Sequence, residues 1–147
     1  MTINTSILPF NALTTASLYE ILALRCSVFI VEQQCPYQDI DNKDEIAQHV
    51  LMKQDEKLIA YARILPAHEG SVHFGRVLIA KPHRGRGLGK KLVDTVIQHL
   101  KAHHPECVMV ITAQLYLQHF YQEFGFMNEK EPFNLDGIPH IWMMKSP

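Results

Sequence analysis

The stretch HRGRGLGKK, at residues 83–91, restricts more than any other feature how this chain can fold. Three glycines alternate with arginine and leucine before two lysines, so the backbone is accessible and the surroundings are positive. The stretch lies between a β-type run at 71–80 and a segment with apolar residues at helical spacing. A strand, a glycine-rich turn and a helix bring unpaired amides and the positive end of the helix dipole together. The turn is therefore predicted to bind an anion, most simply a phosphate group.

Two common phosphate loops do not fit this turn. A Walker A loop needs glycine five residues before its Gly-Lys pair and Ser or Thr after it, but Arg84 and Lys91 occupy those positions. A Rossmann turn starting at Gly85 would need its third glycine where Lys90 stands. A nucleic-acid patch is disfavoured because the RGRG tetrad occurs once, without interleaved aromatic residues. The spacing that remains is Arg-x-x-Gly-x-Gly over residues 84–89.

The rest of the pattern predicts one mixed α/β domain spanning residues 1–147. In chain order we expect a helix at 15–34 that Pro36 ends, an acidic loop at 37–46, and a hairpin of strands at 49–53 and 58–65. A strand at 71–80, with a bulge or kink at Gly75, is followed by the glycine-rich turn and a helix. The rest is predicted to be a strand at 107–113, a helix at 115–124 that Gly125 ends, and closing strands near 126–132 and 139–145. The unit over 71–113 is predicted to place two strands parallel through a right-handed crossover.

The helix after the turn has a clear amphipathic pattern. Its apolar face is predicted to contain Leu88, Leu92, Val93, Val96, Ile97 and Leu100, and its polar face Lys90, Lys91, Asp94, Gln98 and Lys101.

Charge is unevenly distributed along a chain whose net charge is only −1. Residues 1–56 carry −5, residues 57–101 carry +7 and residues 102–147 carry −3. A basic middle suits an anionic partner, and an acidic flank suits a cationic one. The absence of a 20-residue apolar run and of a signal-peptide pattern, together with three cysteines, favours a protein of the cytoplasm without membrane segments.

Other possible sites fit less well. The stretch DIDNKDE resembles a calcium loop, but Lys43 stands where an oxygen ligand is needed. His99, His103 and His104 have no Cys or carboxylate partner at ligand spacing, so no metal site is predicted. Cys107 begins an apolar strand and is interpreted as a core residue rather than a nucleophile that carries an acyl group.

The glycine-rich turn resembles motif A of the GNAT family of N-acetyltransferases, in which a strand, a turn and a helix hold the pyrophosphate of acetyl-CoA. A second stretch, AQLYLQHFYQEFGF at 113–126, is similar to motif B of that family, with Tyr121, Gly125 and Phe126 at the matching positions. The stretches LRCSVFIVEQQCPYQDIDNKDEIAQH at 24–49 and LDGIPHIWMMK at 135–145 resemble the ElaA-like branch. Together these stretches extend the resemblance over nearly the whole chain.

The resemblance implies a central, mixed, mostly antiparallel sheet of six to seven strands with a splayed parallel pair at the cofactor site, flanked by about four helices. It implies an N-acetyltransferase that moves the acetyl group of acetyl-CoA directly to an amine acceptor in a ternary complex, with Tyr121 protonating the departing thiolate. The residues implied in cofactor binding are Val77, Leu78, Ile79, Arg84, Gly85, Arg86, Gly87, Leu88, Gly89, Lys90 and Gln114. An amide near Leu78 is expected to face the thioester oxygen.

The general base stays open at the level of sequence. Many relatives carry a glutamate on the strand before the turn, whereas this chain has His73, Phe74, Gly75 and Arg76 there. The candidates for contact with the acceptor or for the base are Glu32, Asp39, Asp41, His73 and His140, with a chain of water molecules as an alternative base.

Two alternatives accompany the acetyltransferase hypothesis. An acyl-homoserine-lactone synthase has a similar Arg-x-x-Val-Phe helix, but that family is longer and usually lacks a complete glycine-rich turn. A CoA-binding sensor or interaction module without turnover is the other, because the strand glutamate is absent. The expected partner is a small-molecule or peptide amine rather than nucleic acid or membrane, and pairing of the closing strands would give a homodimer. The acceptor itself is not identified by the sequence, because one fold serves many acceptors.

Overall fold

An eight-stranded sheet forms the frame of the protein, which is a computed structural model that describes residues 2–147. The strands are β1 (Ile3–Pro9), β2 (Gln48–Gln54), β3 (Lys57–Ile64), β4 (Ser71–Ile79), β5 (Val108–Gln114), β6 (Met127–Asn128), β7 (Phe133–Leu135) and β8 (Ile138–Lys145). The α-helices are α1 (Thr15–Arg25), α2 (Leu88–His103) and α3 (Gln118–Gln122), and a π-helix at Cys26–Glu32 continues α1. No helix within the described part of the chain is long and apolar enough to cross a membrane.

The sheet order is β1-β2-β3-β4-β5-β8-β6, with β7 also on β8. Every pair is antiparallel except β4–β5, which is parallel and joined through α2. That parallel pairing covers only Ser71–His73 against Val108–Val110, after which the two strands separate. The predicted fold class, a mostly antiparallel sheet with one splayed parallel pair, is confirmed.

Helix α2 closes one face of the sheet, and its amphipathic pattern explains why. All six residues of its predicted apolar face are buried, and together with side chains from β2 to β5 they form the larger core cluster. The helix begins at Gly87, whose φ of 75° lies in the left-handed region that glycine adopts at little cost. The start of α2 is therefore fixed beside the carboxyl end of β4.

The helix predicted at 15–34 is α-helical only in its first part in the structure. Thr14 caps α1 by accepting a hydrogen bond from the amide of Ser17 at 3.0 Å. After Arg25 the chain widens into the π-helix, a form that is rare and often found at functional sites. Val28 of this π-helix is buried, and Glu32 ends it at the mouth of the cleft described below.

Strand β1 was not predicted, and the closing region is divided more finely than expected. β1 is an edge strand with polar residues and a terminal Pro9, so it lacks the alternating pattern of a half-buried strand. The expected strand at 126–132 is replaced by the short β6 and β7, and the expected helix at 115–124 is a 3₁₀ turn followed by α3. These differences give eight strands within residues 2–147, against the six to seven expected.

Candidate active site

A cleft of about 670 Å³ opens where β4 and β5 separate. Its walls come from Phe74–Ile79 of β4, Ile111–Gln114 of β5, the π-helix, the segment around Tyr116–Tyr121 and the β7–β8 turn. A groove between two splayed strands leaves the backbone edge of β4 unpaired, which lets an extended ligand add to the sheet as a strand would. The cleft thus has the shape and the free hydrogen-bonding edge that a long, flexible ligand needs.

The three predicted strand residues Val77, Leu78 and Ile79 all line this cleft, but they do so differently. Leu78 is opposite Tyr61 in the β3–β4 ladder, and its side chain is buried in the smaller core cluster. The carbonyl of Ile79 accepts a hydrogen bond from Arg84 Nε at 3.0 Å, which shows that its backbone edge faces away from β3. Because backbone direction alternates along a ladder, the amides of Val77 and Ile79, rather than that of Leu78, are the ones expected to face the cleft.

The glycine-rich turn leads from β4 into α2. Gly85 and Gly87 have φ values of 78° and 75°, and a Cβ added to either would meet nothing within 4 Å. These two positions therefore need glycine for backbone conformation, and the space above them is open. Gly89 differs, because a Cβ added there would lie 3.6 Å from the ring of Phe120. At this glycine α2 therefore packs closely against α3. The open space fits the close approach of an anion to the turn amides and to the first turn of α2.

The basic side chains of the turn are occupied by the protein itself. Arg84 forms a bidentate ion pair with Glu32, with Nη1–Oε2 at 2.6 Å and Nη2–Oε1 at 3.1 Å. Arg86 lies against His83 and Gln54, and Lys90 pairs with Glu123 at 3.2 Å. The turn therefore presents backbone amides as its free donors, and Glu32, one of the base candidates, lies on the cofactor side. The hydrogen bond from Arg84 lowers the pKa of the Glu32 carboxyl, which makes it a weaker base.

Tyr121 projects from α3 into the cleft, and its side chain is only 6% exposed. Its ring packs edge-on against Phe120 and Phe126, at centroid distances of 5.0 and 6.1 Å. Its hydroxyl makes no hydrogen bond within residues 2–147 and is not fully enclosed by the protein, so it is accessible from the cleft. Burial raises the pKa of this hydroxyl, and Tyr116 raises it further, so the group keeps its proton at neutral pH.

Gln114 ends β5 and joins two walls of the cleft. Its Nε2 donates at 3.0 Å to Oε1 of Gln33, the residue that follows the π-helix. The opposite neighbour of Gln114 on β8 is His140, which also lines the cleft. The Nδ1–H of His140 donates to the carbonyl of Ile138 at 2.7 Å, because a carbonyl can only accept. That bond leaves His140 Nε2 as a free acceptor facing the cleft region, since it has no partner among the described residues.

Asp39 and Asp41 belong to a buried charge network rather than to an open surface. Asp39 accepts from Arg25 Nε at 3.0 Å and from the Tyr37 hydroxyl at 2.7 Å. Asp41 accepts from both Nη atoms of Arg63, each at 2.8 Å. Although burial acts in the opposite direction, Arg63 lowers the pKa of the Asp41 carboxyl well below its usual range. The network fixes the acidic loop 37–46 beneath the cleft and keeps the Asp41 carboxylate ionised.

His73 and Asp39 are the two predicted candidates that the structure places outside the cleft lining, and His73 lies farther along β4. Its ring lies edge-on to Trp142, with centroids 6.1 Å apart, on the sheet face away from Phe74. Burial lowers the pKa of His73, and the charge of Lys43 lowers it further. Of the five candidates, His140 therefore combines a position in the cleft with a free acceptor nitrogen.

Sequence reasoning assigned no role to Arg76 or Gln33, which both line the cleft. Arg76 lies at a β-bulge, where the β3–β4 register shifts between the partners of Tyr61 and Arg63, and its φ is 49°. The bulge was predicted at this point, but the left-handed residue is Arg76 and not the neighbouring glycine. A non-glycine residue in this region costs free energy, and such residues concentrate at functional sites. Gln33 had no signal apart from its place in the ElaA-like stretch.

No group of three or more His, Cys, Asp or Glu side chains suited to a metal occurs within residues 2–147. Cys26, Cys35 and Cys107 are all free thiols. Cys35 lines the cleft, and its Sγ donates to the carbonyl of Asp136 at 3.2 Å.

The comparison with known proteins identifies the family. A family model described as an acetyltransferase (GNAT) domain matches residues 16–147. The chain belongs to the GNAT acetyltransferase family. It is 41% identical over 139 residues to the protein ElaA of Escherichia coli strain K12, across 92% of this chain and 91% of that protein. This GNAT domain is therefore an acyltransferase-family member of the ElaA-like branch.

Solved structures agree with this assignment. The crystal structure of Escherichia coli ElaA has a TM-score of 0.94 at 39% identity and covers 99% of this GNAT chain and all of the other. An acyl-CoA N-acyltransferase from Pseudomonas aeruginosa has a TM-score of 0.93 at 35% identity, with the same coverage. A GNAT acetyltransferase from Elizabethkingia anophelis with acetyl-CoA bound, at 19% identity and a TM-score of 0.67, shares the fold alone. The acyl-homoserine lactone synthase BjaI, at 12% identity and a TM-score of 0.81, also shares the fold alone.

Proposed function

We propose that this protein transfers the acetyl group of acetyl-CoA directly to an amine acceptor, with both substrates bound at once. The observation that carries the proposal is the Tyr121 hydroxyl, which is protonated, has no partner within residues 2–147 and stays accessible at the cleft where β4 and β5 separate, although the ring that carries it is buried. Because a tyrosine hydroxyl at the edge of a buried ring usually has a hydrogen-bond partner, this one is expected to bond to a ligand in the cleft. A proton donor beside a groove for a thioester suits the protonation of a leaving thiolate.

The residues present fit acetyl-CoA as a cosubstrate. The open turn at Gly85–Gly89 and the first turn of α2 would hold the pyrophosphate through backbone amides. The free edge of β4 would bind the amide-rich pantetheine arm, with Ile79 and Val77 supplying cleft-facing amides. Lys81, Arg86 and Lys91 lie in or beside the turn, form no ion pair among the described residues and add an attractive field for an anionic ligand. Gln114, held by Gln33, would position the acyl end.

Acetyl transfer needs a general base, a general acid and a hydrogen-bond donor to the thioester carbonyl oxygen, which gains negative charge as the amine attacks. The amine nitrogen attacks the thioester carbon, so a C–N bond forms and the C–S bond breaks. His140 Nε2, free because Nδ1–H donates to Ile138, would take the nitrogen proton directly or through water. A cleft-facing amide at Val77 would donate to the carbonyl oxygen, and removal of such a donor costs roughly 3 kcal/mol in another enzyme class. Tyr121 would give its proton to the thiolate, leaving the acetylated amine and free CoA thiol.

The test begins with calorimetric titration of acetyl-CoA into the wild type, Gly87→Glu and Gly70→Glu. Gly70 is a matched control because its φ of 80° and its empty Cβ surroundings are like those of Gly87, while it lies in the turn before β4. We expect the dissociation constant to rise at least about a hundredfold in Gly87→Glu only, because a carboxylate there repels the pyrophosphate. Equal loss in both variants would mean that backbone strain, and not anion binding, explains the effect.

Turnover is then measured as amine-dependent release of CoA thiol across a panel of small amines, amino acids and peptides. Release with one class of acceptor and not in its absence supports direct transfer. Tight acetyl-CoA binding without release for any acceptor would instead favour a CoA-binding sensor, which has no use for an acid at Tyr121.

A further inference from the structure

The wall of the cleft formed by the acidic loop and the β4 bulge offers hydrogen-bond donors but no free carboxylate oxygen. Both oxygens of Asp39 are occupied by Arg25, Arg76 and Tyr37. Both oxygens of Asp41 are occupied by Arg63, by the Lys43 amide and by Arg76. The aspartates that the sequence suggested for attracting a cationic amine thus already accept from the protein itself.

Arg76 keeps one end of its guanidinium free toward this wall. Its Nε lies 2.8 Å from Asp39 Oδ1, and its Nη2 donates to the Asp39 carbonyl at 3.2 Å. The other terminal nitrogen, Nη1, has no partner within residues 2–147 and is not among the fully enclosed polar atoms. The guanidinium carbon is 5.5 Å from the Tyr37 ring centroid, so the group is held by stacking and by the ion pair. A group fixed in advance loses little entropy when it binds an anion.

Lys43 supplies a second positive charge on the same wall. It is exposed, it lines the cleft, and its ammonium forms no ion pair within the described residues. The arginines Arg25, Arg63 and Arg76 are balanced by three aspartates of the network, Asp39, Asp41 and Asp44. Glu45 of the same loop does not line the cleft, so the Lys43 charge is in excess among the residues of this wall that do. On the cofactor side, Glu32 and Arg84 cancel one another.

An unpaired negative group also lines the cleft. Asp136, in the turn between β7 and β8, is exposed, lines the cleft and forms no ion pair among the described residues. A ligand that fills the cleft would therefore meet the positive groups Arg76 and Lys43 and the negative group Asp136. An amine that carries its own carboxylate has this distribution of charge.

We propose that the acceptor is an amine bearing a carboxylate near its nitrogen, as in a free amino acid, and that Arg76 and Lys43 bind this carboxylate. This inference rests on the proposed acetyl transfer and adds to it the class of the acceptor. Arg76 immediately precedes Val77, whose amide is assigned to the acyl oxygen, so a carboxylate held at Arg76 keeps the attacking nitrogen close to the acyl group. Guanidinium groups prefer carboxylates because two N–H donors match two oxygens.

The test measures binding of matched ligand pairs to the enzyme saturated with CoA, which cannot react. One pair is an amino acid and its amide, for example leucine and leucinamide, and a second is phosphoethanolamine and ethanolamine. We expect the amino acid to bind roughly tenfold more tightly than its amide, the effect of one charge-assisted hydrogen bond. Lys43→Gln should reduce this preference several-fold, while Lys101→Gln, an exposed lysine on α2, should leave it unchanged. Arg76→Lys keeps the charge but not the planar fork, and should also reduce it.

Equal affinities within each pair would overturn the inference, and so would an equal effect of the two lysine substitutions. A larger preference for phosphoethanolamine than for the amino acid would overturn the choice of carboxylate. Because binding is measured without turnover, the outcome is separate from that of the proposed function. If amines without a carboxylate were acetylated as well as amines that carry one, the acetyltransferase proposal would stand and this inference would be wrong.

Discussion

Replacement of Tyr121 by phenylalanine isolates the hydroxyl from the rest of the side chain. The ring contacts with Phe120 and Phe126 are kept, and the hydroxyl has no hydrogen bond within residues 2–147 that could be lost. We therefore expect the free energy of unfolding to change by less than about 1 kcal/mol. Acetyl-CoA binding should stay within a factor of about two, because the turn proposed to bind the pyrophosphate leads into α2, whereas Tyr121 lies on α3.

The effect on turnover should be much larger than the effect on stability. Loss of a general acid typically lowers the rate by about 10²–10⁴-fold, which corresponds to about 3–5 kcal/mol of barrier. Because the pKa of Tyr121 is raised above its ordinary value of 10.0, the wild-type rate should not fall through loss of this proton up to about pH 10. The assay is kcat from thiol release at saturating acetyl-CoA and acceptor, beside calorimetric affinity and urea unfolding.

Tyr19→Phe is the matched control, because Tyr19 is 77% exposed on α1 and does not line the cleft. It should leave kcat, affinity and stability unchanged. A Tyr121→Phe enzyme with wild-type kcat would refute the assignment of the acid. A variant that lost stability by several kcal/mol, with kcat falling only in proportion to the unfolded fraction, would place Tyr121 in the core and nothing more.

Three further predictions concern other residues of the network and the site. Arg25→Ala should lower the free energy of unfolding by about 3–5 kcal/mol in urea titrations, because it leaves the buried network of Asp39, Asp41 and Asp44 with one uncompensated negative charge, whereas Lys101→Ala should cost under about 0.5 kcal/mol. His140→Gln should lower kcat by about 10²–10⁴-fold with unchanged acetyl-CoA affinity, and an unaltered kcat would move the base to a water molecule. Burial lowers the pKa of His49 from 6.5, so the unfolded chain binds that proton more readily and the melting temperature should fall as pH drops below about 6.5. His49→Gln should weaken this pH dependence, and a slope equal to that of the wild type would exclude His49 as its source.

The neutral state of His49 also has a structural explanation. Its Nε2–H donates to the Asp44 carbonyl at 2.9 Å, so its Nδ1 accepts from the Tyr61 hydroxyl at 2.6 Å. His49 is completely buried beside the positive groups Arg25 and Arg63. Burial and these two arginines therefore lower the pKa of His49, although Asp44 acts in the opposite direction.

Local patterns along the chain determine a large part of this protein. The apolar face of α2 follows from 3.6-residue periodicity, and all six of its members are buried as predicted. The glycine-rich turn requires positive φ at Gly85 and Gly87, which is a property of single residues and their neighbours. The family assignment rests on motif spacing, which is likewise carried by the linear sequence, and the match over residues 16–147 confirms it.

Tertiary structure decided which of the candidate side chains are free to act. The sequence could not show that Arg84 binds Glu32, that Asp39 and Asp41 give all their oxygens to arginines and other donors, or that His73 lies against Trp142. Partners in these contacts are 14 to 69 residues apart in the chain, for example Arg25 with Asp39 and His73 with Trp142. Pairing over such distances depends on sheet order and on the splay of β4 from β5, which no local pattern contains. The sequence by itself therefore determined the fold and the glycine-rich turn and named Tyr121 and His140 as candidates. The folded chain added Arg76 and showed which of these side chains keep unpartnered polar atoms, because availability depends on neighbours brought together only by packing.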